Sequence, residues 1–385
     1  MPAPISSRPV LAARPGRVAR RPAAPGPGTL RALLAGLAAA LLATGPAAAQ
    51  GPAGAPAAPR PAATASAPPA AVDAAEDARR ARALARASAA VVGLRSTAVE
   101  DAVSNRTLGR AREGSGVLID PAGLVLTIGY LVLEAEQVEL ELDDGRRLPA
   151  RPLAYDQATG FGLVQSLVPL PMEAVPLGRS GTLRTDEPLM VVSGGGGGDL
   201  GLAQLMSRRP FSGYWEYHLD EALFTAPPHD AHSGAGLFNA DGELLGIGSL
   251  VVSDARGPGQ PPQVGNMFVP IDLLAPILPE LRSRGSSRGS HRAWLGLQCV
   301  EQGGAVRVVR VNEDGPAEAA GLRPGDLIAA IDGRPVAGLE AFYKALWTGA
   351  AERDVQLDIR RRGAEERITV RAMDRLDALR RPQGI

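Results

Sequence analysis

The sequence has little of what usually braces a small fold or carries its chemistry. Cys299 is its one cysteine, which excludes an intramolecular disulfide framework. Four scattered histidines, His218, His229, His232 and His291, leave little material for a structural zinc site. No histidine precedes His218, so more than half of the chain offers no imidazole at all. Net charge is also missing: 41 basic and 41 acidic residues cancel, which gives no reason to expect nucleic acid, an anionic membrane surface or a polyanion as partner. Nowhere does an apolar run approach the ~18 residues of a membrane span. What is present is a 45% hydrophobic composition over 385 residues, enough to bury cores in two or three domains.

The start of the chain carries arginines at 8, 14, 17, 20, 21 and 31, then the apolar run Leu33 to Ala43, then Ala47-Ala48-Ala49. That order predicts a cleaved secretory signal over residues 1–49 and a periplasmic, soluble product; the alternative is an uncleaved inner-membrane anchor facing the periplasm. Residues 50–72 are almost wholly Ala, Pro and Gly and predict a disordered tether. Asp73 with Glu76 reads as a capping box opening a helix, with Ala78, Ala81, Leu84, Ala85 and Ser88 on one side. That face is expected to pack either on the following domain or on another subunit.

Within a domain expected over residues 73–280, the pattern from Ala90 to Leu278 changes to short apolar runs divided by turn residues, including Gly116 to Ile119, Leu124 to Thr127, Leu189 to Val192 and Leu244 to Ile247. Val138 to Leu142 alternates strictly, and Asp144-Gly145 and Asp241-Gly242 supply tight turns. Many short strands at this spacing predict a sandwich or barrel.

Three motifs go further. Gly114-Ser115-Gly116 opens a hairpin that runs into Thr127-Ile128-Gly129-Tyr130-Leu131-Val132; Asp156 and Thr159 precede Gly160; and Ser233-Gly234-Ala235-Gly236-Leu237-Phe238 follows His229 to His232. After Trp294-Leu295-Gly296-Leu297, the stretch Gly315 to Gly333 completes the pattern. Together these resemble the HtrA/Deg family of serine proteases with a PDZ domain. The resemblance implies a mainly β fold, a trypsin-like double β-barrel of two six-stranded barrels followed by an α+β PDZ domain. It also implies a catalytic serine at Ser233, an oxyanion hole from the amides of Ala231 and Ser233, and a trimer.

The same resemblance puts the family's catalytic histidine on Tyr130 and its aspartate on Gly160. A serine hydroxyl needs a base within hydrogen-bond reach, held in place by a third group. A phenol with an ordinary pKa of about 10 keeps its proton near neutrality, and glycine has no side chain to orient anything. Losing the base alone costs on the order of 10⁶ in turnover. His229 and His232 stand too close along the chain to Ser233 to turn towards it, and two imidazoles without a third ligand do not make a metal site, so no metal and no cofactor are expected. Ala231 replaces a glycine, which puts the oxyanion hole in question because a side chain resists positive φ. The run Gly194 to Gly198 lacks the lysine of a phosphate loop and reads as a flexible loop near the cleft, while Tyr214 to Leu219, with His218, reads as a strand.

Residues 281–292, rich in Ser, Gly and Arg and including His291, read as a linker before a PDZ domain at 293–373 and a tail at 374–385. Gly296 lets the amides of Leu295, Gly296 and Leu297 converge on a peptide carboxylate, and the strand from Gln298 offers an edge for β-augmentation. Leu339 begins a helix whose first turn lines the peptide pocket, with Phe342 and Leu346 on the same face, and Cys299 is expected in the core. The overall expectation is an exported pseudoprotease that binds or regulates envelope proteins through unfolded or C-terminal peptide segments without cleaving them. The alternative is an active periplasmic endopeptidase using Ser233 and an unconventional base.

Overall fold

Alternating burial in short strands closes the middle of the chain into two antiparallel barrels. The computed structural model describes residues 69–380, so the expected signal segment and most of the Ala/Pro stretch lie outside the described residues. The first barrel comprises β1 (Val91–Ala98), β2 (Ala111–Asp120), β3 (Leu124–Ile128), β4 (Ala135–Glu141), β5 (Arg147–Tyr155) and β6 (Phe161–Ser166), hydrogen-bonded in the order β1-β2-β3-β6-β5-β4. The second comprises β7 (Pro188–Val192), β8 (Leu200–Gly213), β9 (Tyr217–Ala226), β10 (Gly236–Phe238), β11 (Leu244–Val252) and β12 (Gly265–Pro270), in the order β10-β11-β12-β9-β8-β7. In β4, Val138 and Leu140 point inward and Glu139 outward, as the sequence alternation requires. Fully buried Phe161, Phe224, Phe238 and Phe268 fill the interiors; truncating one such ring to alanine typically costs about 3–5 kcal/mol.

The leading helix α1 (Pro69–Ala89) packs on the first barrel of its own chain, burying Leu84 and Ala87 in the core shared by both barrels. Arg79 meets Asp241, and the backbone of Ala83 lies so close to Gly242 that a side chain there would collide with it. Two expectations are corrected. The helix begins at Pro69, inside the predicted tether and ahead of Asp73, and of the expected face Leu84 is buried, joined by Ala87, while Ala78 and Ala85 face solvent.

The run Gly194 to Gly198 is also not the flexible loop expected. Gly194 donates to Ser115 Oγ (3.1 Å), Gly196 donates to Glu141 Oε1 (3.1 Å), and a Cβ on Gly194 would strike the backbone of Val92. The glycines allow the barrels to approach each other. Gly194→Ala should therefore destabilise the chain by about 1–3 kcal/mol in thermal or urea denaturation, where an exposed loop glycine would show almost nothing.

After β12, helix α2 (Leu278–Arg284) extends beyond residue 280. Part of the predicted linker is folded onto the barrel, because Ser287 and Ser290 are buried against the Asp156 carboxylate. The last region pairs β13 (Ala293–Trp294) with β20 (Met373–Asp374). Its main sheet runs β14 (Leu297–Gln302), β15 (Ala305–Val311), β16 (Leu327–Ile331), β18 (Asp354–Arg361) and β19 (Ala364–Arg371), with β17 (Arg334–Pro335) against β16. Helix α3 (Leu339–Leu346) buries Leu339, Phe342, Tyr343 and Leu346, and Cys299 lies in the same core. Asp374, assigned to the tail, is in a strand and accepts from His291 Nδ1 (2.6 Å). Arg375 donates to the Trp215 carbonyl (2.8 Å), so the chain end straps back over the second barrel.

Candidate active site and peptide groove

Ser233 sits in the turn before β10, where the two barrels meet. Its carbonyl accepts from the Ser115 amide (2.8 Å), which ties it to the hairpin strand β2. Gly234 adopts φ 75° and would, with any side chain, collide with the Ser115 carbonyl and the Thr127 hydroxyl. Glycine is obligatory at that position.

Tyr130 stands in a short helical turn just after β3, and its hydroxyl lies 2.9 Å from Ser233 Oγ and 2.8 Å from the Ser249 carbonyl. A phenol has one proton, and a carbonyl can only accept. The tyrosine therefore donates to Ser249 and receives the serine's proton as a hydrogen bond on its own neutral oxygen. Burial pushes the Tyr130 phenol up to about 12, only partly offset by the Ser233 contact. Near neutrality it holds its proton and cannot take another.

Gly160 occupies the third position of the predicted constellation without contributing to it. Its φ is 84°, its amide donates to the Asp156 carbonyl (2.7 Å), and a Cβ would lie 2.9 Å from the Tyr217 hydroxyl. Tyr217 fills the space an acidic side chain would need and donates to the Thr159 carbonyl (2.6 Å). The histidines stay away: His229 is buried, 3.3 Å from Ser193 Oγ, and His232 turns back to the Asp230 carbonyl (3.0 Å). Ala231 does not adopt positive φ, and neither its amide nor that of Ser233 has a hydrogen-bond partner among the described residues. Two backbone donors are thus left unspent beside the serine.

Four of the five tyrosines, Tyr130, Tyr155, Tyr217 and Tyr343, are pushed above the ordinary phenol range, each chiefly by burial. Above pH ~10 the unfolded chain loses these protons while the folded chain keeps them, so the folded state binds more protons and stability falls as pH rises. The tyrosinate absorbance of these four phenols and unfolding should therefore appear together as one transition above pH ~10; their gradual ionisation in a folded chain would contradict the burial.

The second predicted site also differs from expectation. The amides of Leu295 (3.1 Å) and Leu297 (2.8 Å) do converge on a carboxylate, with Gly296 at φ 79° between them, but the carboxylate is that of Glu216. Glu216 belongs to the turn between β8 and β9, so of the strand expected over Tyr214 to Leu219 only residues 217–219 lie in a strand, while residues 214–216 form the hairpin tip. Burial raises the Glu216 carboxyl above its ordinary range, against the pull of Arg375 and the backbone amides of residues 295–297. Gln298 is half-buried on β14, and Leu339 packs in the domain core. Glu216, Tyr343 and Arg375 are absent from the sequence-derived site because no local pattern links residues so far apart. His218, Asp220 and Glu340 come together as possible metal ligands would, but Lys344 Nζ lies 2.7 Å from both carboxylates and supplies the positive charge.

Double barrel, serine turn and carboxylate loop define a trypsin-like peptidase fold joined to a PDZ domain. Family models agree: residues 114–247 match the trypsin-like peptidase domain and residues 293–371 the PDZ domain. The chain is 28% identical over 284 residues to a probable periplasmic serine endoprotease DegP-like from Pseudomonas fulva, covering 68% of this chain and 57% of that protein. It is 26% identical over 290 residues to the putative serine protease HhoA of Synechocystis, covering 68% and 70%. Against the DegP-like relatives it spans little more than half their length. A solved structure of a variant of the HtrA-type protease AlgW with a tripeptide aligns with a TM-score of 0.50 at 22% identity, covering 77% of this chain and 97% of that one, which supports the fold. The chain thus carries a trypsin-like peptidase domain followed by a PDZ domain and is similar to DegP-like and HtrA-type proteases.

Proposed function

We propose that this protein is a periplasmic HtrA homologue that binds unfolded or C-terminal segments of envelope proteins without cleaving them. The observation that carries this reading is the neutral Tyr130 phenol hydrogen-bonded to Ser233 Oγ. No histidine nitrogen lies within hydrogen-bond distance of that oxygen among the described residues. The serine accordingly has nowhere to send its proton. The unspent amides of Ala231 and Ser233 support binding, since a client carbonyl can dock on them without reacting.

The names of the relatives favour the second reading, an active endopeptidase, because those that match are described as serine endoproteases. The retained Ser233 is consistent with both. A cleavage assay on an unfolded protein, run with the native chain and Ser233→Ala side by side, separates them: serine-dependent cleavage would establish the endopeptidase. The periplasmic assignment follows the DegP-like relatives and the arginine-led apolar start. Trimer formation is a further expectation, checked by the mass of the purified protein in solution.

A further inference from the structure

The groove that would receive a peptide is filled by the chain itself. Tyr214-Trp215-Glu216, the tip of the β8–β9 hairpin, lies along the free edge of β14. The Cys299 amide donates to the Tyr214 carbonyl (2.9 Å), while the Leu295 and Leu297 amides donate to the Glu216 carboxylate. Two residues back along the hairpin correspond to two residues forward along β14, which is the spacing of an antiparallel strand added to a sheet edge.

At Glu216 the backbone takes φ 55°, a conformation residues with side chains avoid, and leaves the groove as β9. The side-chain carboxylate remains on the loop amides, 2% exposed at the residue level. From the far wall, Tyr343 on α3 donates to the Gly213 carbonyl (2.8 Å) and accepts from the Glu216 amide (3.3 Å). Arg375 closes the arrangement by holding the Trp215 carbonyl, with its positive charge facing Glu216. Lys344 on α3 and Asp220 on β9 add an ion pair (2.7 Å) across the same junction.

We infer that the PDZ groove carries a built-in ligand, the β8–β9 hairpin tip, with the Glu216 side chain in the place of a terminal carboxylate. A C-terminal peptide enters only by displacing that latch, and entry releases the PDZ domain from the second barrel. This rests on the reading of the groove as a receptor for peptide carboxylates, and it adds that the receptor is closed in the resting chain.

The test uses the full chain, native and Glu216→Gln, with a labelled pentapeptide of the sequence Ser-Gly-Tyr-Trp-Glu bearing a free carboxyl end and an amidated control. Anisotropy reports binding, and hydrogen exchange reports the amides of residues 295–299. Glu216→Gln should bind the free-acid peptide about tenfold to a hundredfold more tightly than the native chain, ignore the amidated form and exchange those amides faster. If the native chain binds the peptide as well as the variant, the latch is overturned and the peptide receptor stands. Faster exchange in the variant with no peptide bound by either form supports the latch and removes the receptor reading. Unchanged binding together with unchanged exchange overturns the latch. Tyr343→Phe, which removes the hydroxyl contacts to the hairpin and keeps the carboxylate, should shift both readouts in the same direction by less, and serves if Glu216→Gln does not fold.

Discussion

Ser233→Ala should leave the breakdown of an unfolded protein unchanged, at a rate indistinguishable from that of the native chain. In a working triad the same substitution costs on the order of 10⁶ in turnover, because serine and base act as a unit. Here the serine's hydrogen bond ends on a phenol whose own proton is committed to the Ser249 carbonyl. Raising the pH to 9 should not reveal activity either, since the phenol, pushed up to about 12, remains protonated there. Restoring the family residues with Tyr130→His and Gly160→Asp should also fail. An aspartate at 160 would have to adopt φ 84° with its Cβ 2.9 Å from the Tyr217 hydroxyl. Shortening Tyr217 to make room would remove its stacking on Trp215, whose ring centroid is 5.7 Å away, and loosen the hairpin. Serine-dependent cleavage by the native chain would overturn the whole account.

The largest loss of stability is expected from Asp156→Ala. This carboxylate is fully buried and accepts from the Thr159 amide (2.9 Å), the Thr159 hydroxyl (2.6 Å), the Ser287 amide (3.3 Å) and the hydroxyls of Ser287 and Ser290. Removing it strands several buried donors in the barrel and in the segment leading to the PDZ domain. Each unsatisfied buried donor costs about 1–3 kcal/mol, and partial relaxation brings the sum to about 3–5 kcal/mol. A fall of roughly 6–20 °C in the midpoint of thermal unfolding follows. A loss below 1 kcal/mol would show that water replaces the carboxylate and that Asp156 does not fasten the two regions together. In the sequence, Asp156 belongs to a segment that resembles a catalytic one; in the fold it is a structural fastening.

Much of the architecture was legible from local pattern. Strict alternation at Val138 to Leu142 places one face of β4 in the barrel, and the glycines of Gly114-Ser115-Gly116 within β2 and of the Ser233-Gly234 turn stand where close packing admits little else. The strands β5 and β8 were not legible. β8 buries only Ala203, Leu205 and Gly213 among its 14 residues, so its apolar signal is weak although its ladder with β9 is long. On α1 the small residues offer two stripes that share Leu84, and only packing against the barrel selects the one that adds Ala87.

The sequence by itself determined that no histidine of the first barrel can serve Ser233, since none precedes His218 whatever the fold. It also determined that residues 295–297 would offer their amides to a carboxylate, since that depends on a local turn around Gly296. Only the tertiary structure decided which carboxylate answers. Glu216 lies 79 residues from Leu295 and 81 from Leu297, in a turn with no distinguishing pattern, and it reaches the loop because two barrels, a buried Asp156 and the Arg375 strap hold the PDZ domain against the hairpin. Local sequence specifies which groups a backbone presents, while contacts between remote segments depend on the packing that brings them together.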